Sequence, residues 1–489
     1  MSEKPEEKKE EKAAPKDNLV ESKHSVKIGG KEIKYTVTTG TMVLKEDVND
    51  KEKDAEVEKP RAQIFFIAYA KDGVTNKAKR PLTFSFNGGP GSSSVWLHMG
   101  VLGPRRVVLT DDGELPPPPF KLTDNQYSIL DDTDLVFIDP MGTGYSRPVE
   151  GEKAKDWHGF KKDIESVGDF IRLYVTRYHR WLSPKFLAGE SYGTTRAAGL
   201  SGYLQERHGM YLNGLMLISA VLDFTTIDFN LNNELPYILF VPAYAAAAWY
   251  HGKLNFKTPL KTFLKEVEEF SMGEYASALL KGDALMPEDR ASIVEKLSRY
   301  TGISHEFIER TNLRIGDQHF FKELLRERGL TVGRLDSRFT GMDRSGVTAS
   351  AEYDPLLTNV LGPYTAAFYN YVRSELKFES DLPYEILSEK VSVNWTYSQF
   401  ENQYLNVAET LRQAMTHNKY LKVFVANGYF DLGTPYFATE YTFNHLNLDQ
   451  SLRGNIRMGY YEAGHMMYIH KPSLKAIKAD LTKFIKDAI

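Results

Sequence analysis

The sequence predicts an α/β protein: a mostly parallel sheet with helices on both faces, interrupted by a large helical insertion that caps the sheet's carboxyl edge. Three observations carry this. Between residues 81 and 222, short apolar runs alternate with segments of helical periodicity, the rhythm that builds parallel sheets. From 223 to 395 the rhythm stops, and the chain is rich in Ala, Leu, Lys and Glu without clear strands. The alternation then resumes over 396–489.

The elements follow in order. Residues 1–23 are mostly Lys, Glu, Ala and Pro, which reads as a solvated, disordered tail. Ordered sequence is expected from about His24, with Lys34-Tyr35-Thr36-Val37-Thr38 and Gln63-Ile64-Phe65-Phe66-Ile67 as two strands of an edge hairpin separated by a charged turn over 45–60. Leu82-Thr83-Phe84-Ser85-Phe86 and Leu135-Val136-Phe137-Ile138 are core strands, each running into a Gly-rich turn. Ile164, Val167, Ile171, Tyr174, Val175 and Tyr178 recur at helical spacing. A strand at 185–190, a helix over 194–207 and a buried strand at 215–218 follow. After the helical block, strands are expected at 421–426 and 456–461, with a helix over 436–445 between them. A terminal amphipathic helix carries Leu474, Ile477, Leu481, Phe484 and Ile485 on one face.

Composition narrows the function classes. Hydrophobic residues at 42% are enough for a large core, and a net charge of −4 without basic runs argues against nucleic acid as a partner. The chain has no cysteine, which removes disulfides, thiolate metal sites and cysteine nucleophiles together. No His-Glu-x-x-His is present either, so neither a metal nor an organic cofactor is expected. No apolar run reaches the roughly 20 residues that span a bilayer; residues 238–250 are too short and contain Pro242. Residues 1–23 lack the apolar stretch of a signal peptide.

The chemistry centres on Gly189-Glu190-Ser191-Tyr192-Gly193, set between an apolar strand and a helix. A serine there stands on a sharp strand-to-helix turn with its hydroxyl clear of the sheet. It needs a base and a group to orient that base. Asp431 and His465 each lie just past a predicted strand, in the order Ser, Asp, His of the α/β-hydrolase fold. Of the 12 histidines, His98 and His470 are the close rivals of His465, and Asp431 could instead serve as a helix-capping turn residue. The backbone N–H of Tyr192 offers one oxyanion donor. Asn87-Gly88-Gly89-Pro90-Gly91 sits where a loop supplying a second would be.

Together, Asn87-Gly88-Gly89-Pro90-Gly91-Ser92-Ser93-Ser94, Asn125-Gln126-Tyr127-Ser128, Pro140-Met141-Gly142-Thr143-Gly144-Tyr145-Ser146, Gly189-Glu190-Ser191-Tyr192-Gly193 and Ala463-Gly464-His465-Met466 resemble the serine carboxypeptidase family. The cysteine-free chain looks most like a bacterial-type branch. The resemblance implies a triad of Ser191, Asp431 and His465, with Gly89 and Tyr192 as oxyanion donors. It implies that Asn87, Gly88 and Glu190 bind a substrate's terminal carboxylate and that Met466 lines the leaving-group pocket. It also implies peptide substrates with a free C-terminal carboxylate and a periplasmic or secreted location. A Glu190 beside that carboxylate should have a raised pKa and favour acidic pH. Three departures from the family's pattern stand out: Val101 stands where a Glu is common, Ser92 where Cys is usual, and Met467-Tyr468-Ile469-His470 where Val-Pro-x-Asp is frequent. The same triad also serves esterases and acyltransferases. A catalytically silent binding protein is a further reading, against which the complete Ser, Asp, His set argues.

Overall fold

A computed structural model describes residues 15–50 and 55–489. Ten strands form one sheet: β1 Asn18–Ile28, β2 Lys31–Asp50, β3 Ala55–Lys71, β4 Leu82–Phe86, β5 Asp134–Ile138, β6 Arg147–Pro148, β7 Lys185–Ser191, β8 Gly214–Ala220, β9 Lys422–Gly428 and β10 Ile456–Tyr461. Their spatial order is β1-β2-β3-β5-β4-β7-β8-β9-β10, with β6 paired to β3. From β5 to β10 along this order every pairing is parallel, and β1, β2 and β3 add antiparallel neighbours at one edge.

The apolar runs form central strands because both faces of the sheet are covered. Side chains alternate between two cores, as the pleat requires. Leu187, Leu215, Leu217, Val423 and Val425 face one cluster, with α1 Phe160–Arg177, α2 Tyr192–His208 and α7 Ala408–His417. Ala188, Met216, Ile218, Phe424 and Ala426 face the other, with α6 Pro355–Asn370 and α9 Lys471–Asp487. In the block between β8 and β9, α3 Leu235–Tyr250, α4 Leu260–Phe270 and α5 Pro287–Thr301 build a third cluster. It reaches Tyr429, Phe430 and Leu432, just beyond β9. No helix among the described residues is long and apolar enough to cross a membrane.

The structure corrects the N-terminal expectations. Order begins before His24: β1 starts at Asn18, paired residue for residue with β2 from Asn18↔Thr41 to Ile28↔Lys31. An edge strand is held by main-chain pairing, which the charged residues of 18–23 do not prevent, and Val20 packs against the core. Residues 1–14 of the expected tail lie outside the described residues. The charged turn over 45–60 is mostly strand, because opposite charges compensate across it: Lys45 meets Glu58 at 3.1 Å, and Arg61 lies 3.3 Å from Glu46. Within the helical block, a short hairpin joins Thr331–Val332 to Thr340–Gly341. The backbone turn it closes, at 333–339, lies against the site.

Candidate active site

Ser191 ends β7 with φ 60° and ψ −132°, and α2 starts at the next residue. A β-substituted residue rarely adopts such a backbone, and strain of this kind persists where surrounding packing imposes it. Here it does. A Cβ on Gly189 would lie 2.2 Å from the Gly193 carbonyl oxygen, and one on Gly88 would lie 2.4 Å from the Tyr192 nitrogen. The loop after β4 is therefore pressed against the first turn of α2. This places Gly88 beside the helix N-terminus, whose N–H groups carry partial positive charge.

His465 follows β10, and its ring is buried. Nδ1 lies 2.7 Å from Asp431 Oδ2. Asp431 is fully buried and saturated by donors: Gly433 N–H at 2.8 Å and Thr434 N–H at 3.0 Å to Oδ1, and Thr434 hydroxyl at 2.7 Å to Oδ2. It is thus both the turn residue and the histidine's partner; the N-cap of α8 Tyr436–Asn444 is Pro435. With Nδ1–H directed at the carboxylate, Nε2 is the nitrogen left to act as a base. Burial pulls the His465 pKa down, but the Asp431 charge and hydrogen bond, helped by Glu190, outweigh it, and the net shift is upward. The rivals sit elsewhere. His98 is buried between Tyr69 and Phe137, with its pKa pushed down to about 3 by desolvation. His470 Nδ1 lies 2.8 Å from the Ser473 hydroxyl, at the start of α9.

Asn87, Gly88, Gly89, Glu190, Ser191, His465 and Met466 all line one cavity of about 150 Å³, together with Trp96, Leu335 and Arg334. The Asn87 side-chain amide donates to Glu190 Oε1 at 3.0 Å and accepts from Leu97 N–H at 3.1 Å. Glu190 is buried, and desolvation raises its pKa to about 7 against the opposing pull of His465. Its Oε2 has no hydrogen-bond partner among the described residues. The neighbouring group is the Tyr468 hydroxyl, which is likewise buried and close enough to act on Glu190. The Tyr468 ring packs where Gly100 lacks a side chain, a Cβ there falling 2.3 Å from the ring. Val101 is buried and apolar. Tyr468, one of the departing positions after His465, thus brings a phenol beside Glu190.

Two supports were not visible as motifs. Arg196, on α2, is buried between Phe86 and Tyr192; it pairs with Asp163 at 2.8 Å and donates to the Asn87 carbonyl at 2.5 Å. Residues 334–338 cross both loops that carry Asp431 and His465. Leu432 N–H donates to the Arg334 carbonyl at 2.9 Å, His465 N–H to the Leu335 carbonyl at 2.7 Å, and Gly464 N–H to Asp336 Oδ2 at 2.9 Å. Asp336 is fully buried and held by Arg338 at 2.7 Å.

Residues 54–464 match the profile of the family described as "Serine carboxypeptidase". Among curated proteins, the chain is 24% identical over 251 residues to "Serine carboxypeptidase-like 45" of Arabidopsis thaliana, covering 49% of this chain and 48% of that protein. It is 32% identical over 160 residues to "Pheromone-processing carboxypeptidase KEX1" of Saccharomyces cerevisiae (strain ATCC 204508 / S288c), covering 31% and 20%. The chain therefore spans half or less of the length of these relatives. The crystal structure of the Saccharomyces cerevisiae prohormone-processing carboxypeptidase superposes with a TM-score of 0.57 at 17% identity, over 92% of this chain and 91% of that one. The α/β-hydrolase fold expected from the Ser, Asp, His order is the fold observed.

Proposed function

The chain belongs to the serine carboxypeptidase family, and we propose that it removes residues from peptide C-termini through an acyl-enzyme. Ser191 Oγ attacks the carbonyl of the last peptide bond while His465 Nε2 takes its proton. Asp431 holds the imidazole tautomer and stabilises the imidazolium. The N–H groups of Gly89 and Tyr192 receive the negative charge that develops on the carbonyl oxygen. The imidazolium then gives its proton to the leaving amine, and water, activated by the same histidine, releases the acyl group and restores Ser191.

Asn87, Gly88 and Glu190 hold the terminal carboxylate, and Met466 lines the pocket of the departing residue. With its pKa near 7, Glu190 is protonated in acid and donates to the substrate carboxylate; ionised, it repels it. Activity therefore favours acidic pH. The observation that carries this reading is the meeting of the Asn87–Glu190 pair with Ser191 and His465 in one cavity.

Residues 24–222 and 396–489 serve in this reading as the hydrolase core and 223–395 as its cap. The apolar cluster built by α3, α4 and α5 supports a cap over the first part of that block, whereas α6 packs against the sheet with the core. A bacterial-type branch rests on the cysteine-free sequence alone, and the relatives named above are from a plant and a yeast. The triad is tested by fluorophosphonate labelling with peptide mapping. The adduct is expected on Ser191 in the wild type and absent from Ser191→Ala and His465→Ala; an unlabelled wild type, or label elsewhere, refutes the assignment.

A further inference from the structure

Arginines near the site fall into two groups. Arg196 and Arg338 each pair with a buried aspartate. Arg334 lines the cavity with Ser191 and His465, yet among the described residues its guanidinium has no carboxylate partner. Its backbone is fixed, because Leu432 donates to its carbonyl and His465 to that of the next residue. Its Nη1 lies over Gly433, 3.0 Å from where a Cβ would be. The nearby Asp431 carboxylate cannot hold it, being fully buried and already accepting from four donors. The other cavity walls are largely apolar: Trp96, Leu335, Leu357, Leu387 and Met466. Among the described residues, and apart from the titrating groups Glu190 and His465, Arg334 is the one charge on the wall.

An uncommitted, exposed guanidinium on the wall of a cavity beside Ser191 can bind a carboxylate through two parallel hydrogen bonds. The substrate's terminal carboxylate already has Asn87, Gly88 and Glu190 in the reading above. We propose that Arg334 selects peptides bearing an acidic side chain on one of the two residues flanking the scissile bond. The methylenes of that side chain would lie on the apolar wall and its carboxylate on Arg334. This rests on the carboxypeptidase reading and names its preferred substrate class.

The test uses the full chain and sets of free-acid peptides identical except for Glu or Gln, placed at the last or the penultimate residue. Glu and Gln are nearly isosteric, so the ratio of their kcat/KM values isolates the charge. A charge-assisted hydrogen bond that substrate binding partly shields from water predicts a Glu:Gln ratio of about ten at one of the two positions. The ratio should shrink as salt is raised, fall to about one in Arg334→Gln, and stay well above one in Arg334→Lys. A wild-type ratio near one at both positions overturns the inference while leaving the carboxypeptidase reading intact, since Gln peptides would still be trimmed. A ratio unchanged in Arg334→Gln also overturns it, as does an equal loss on every peptide, which would make Arg334 a holder of the terminal carboxylate or a positioning residue for His465. If the wild type cleaves none of the peptides, the carboxypeptidase reading falls and this inference falls with it.

Discussion

The Glu190 carboxyl makes a quantitative claim about pH. Burial moves its pKa from 4.5 to about 7. The shift is upward, so the proton-bearing, hydrogen-bond-donating form persists through mildly acidic pH and is lost as pH rises through 7. With that midpoint, the protonated fraction drops from about 90% at pH 6 to about 10% at pH 8. Binding of a peptide's terminal carboxylate should weaken in proportion. His465 titrates too, and its raised pKa limits the acid side of any profile, so absolute rates mix the two groups. A matched substrate that lacks the terminal charge separates them. The assay is kcat/KM for a free-acid peptide and for an ester of the same acyl part with an uncharged leaving group, each from pH 5 to 8.5. The free-acid to ester ratio should fall about tenfold between pH 6 and pH 8 in the wild type. In Glu190→Gln, which donates at every pH, the ratio should be flat. A flat wild-type ratio, or the same slope in both proteins, would refute the role given to Glu190.

Two supports of the site yield predictions of a different kind. Arg196→Met should leave Asp163 buried without its cation, costing about 3–5 kcal/mol in urea unfolding near neutral pH; a loss below about 1 kcal/mol would mean that the pair does not hold the Asn87 loop. Asp336→Ala should free the Gly464 N–H and loosen the loop carrying His465, lowering kcat several-fold with little change in KM. Asp336→Asn, which keeps an acceptor oxygen, should recover most of that loss, and an unchanged kcat in Asp336→Ala would contradict the positioning role.

Much of the fold was legible because its central strands bury both faces. Runs such as Leu215 to Ile218 are apolar throughout, and the loops after them carry the reactive groups. Ser191, Asp431 and His465 could be singled out by strand-end placement and order, and the structure brings all three sites of the chain together. Glu190 could be paired with Asn87 only through the family resemblance; nothing in their spacing says that the two side chains touch. The supports were hidden for a physical reason. Asp336 meets Gly464, and Arg196 meets the Asn87 carbonyl, through contacts set by tertiary packing across more than a hundred residues. Tyr468 looked like a loss of the family's pattern, and only the absence of a side chain at Gly100 lets its ring reach Glu190's surroundings. The strand over 18–23 was hidden because its pairing uses backbone groups, which composition does not report, and only Val20 of it packs against the core.

Where a peptide is cut separates a C-terminal exopeptidase from the alternatives most directly. Incubating the protein at pH 5.5 with peptides that differ only in a free or amidated C-terminus, and reading the products by mass spectrometry over time, separates the alternatives. Residues should leave one at a time from the free-acid ends, with amidated partners trimmed far more slowly and Ser191→Ala inactive on both. Internal cleavage, or intact peptides alongside rapid turnover of simple esters, would contradict the central claim.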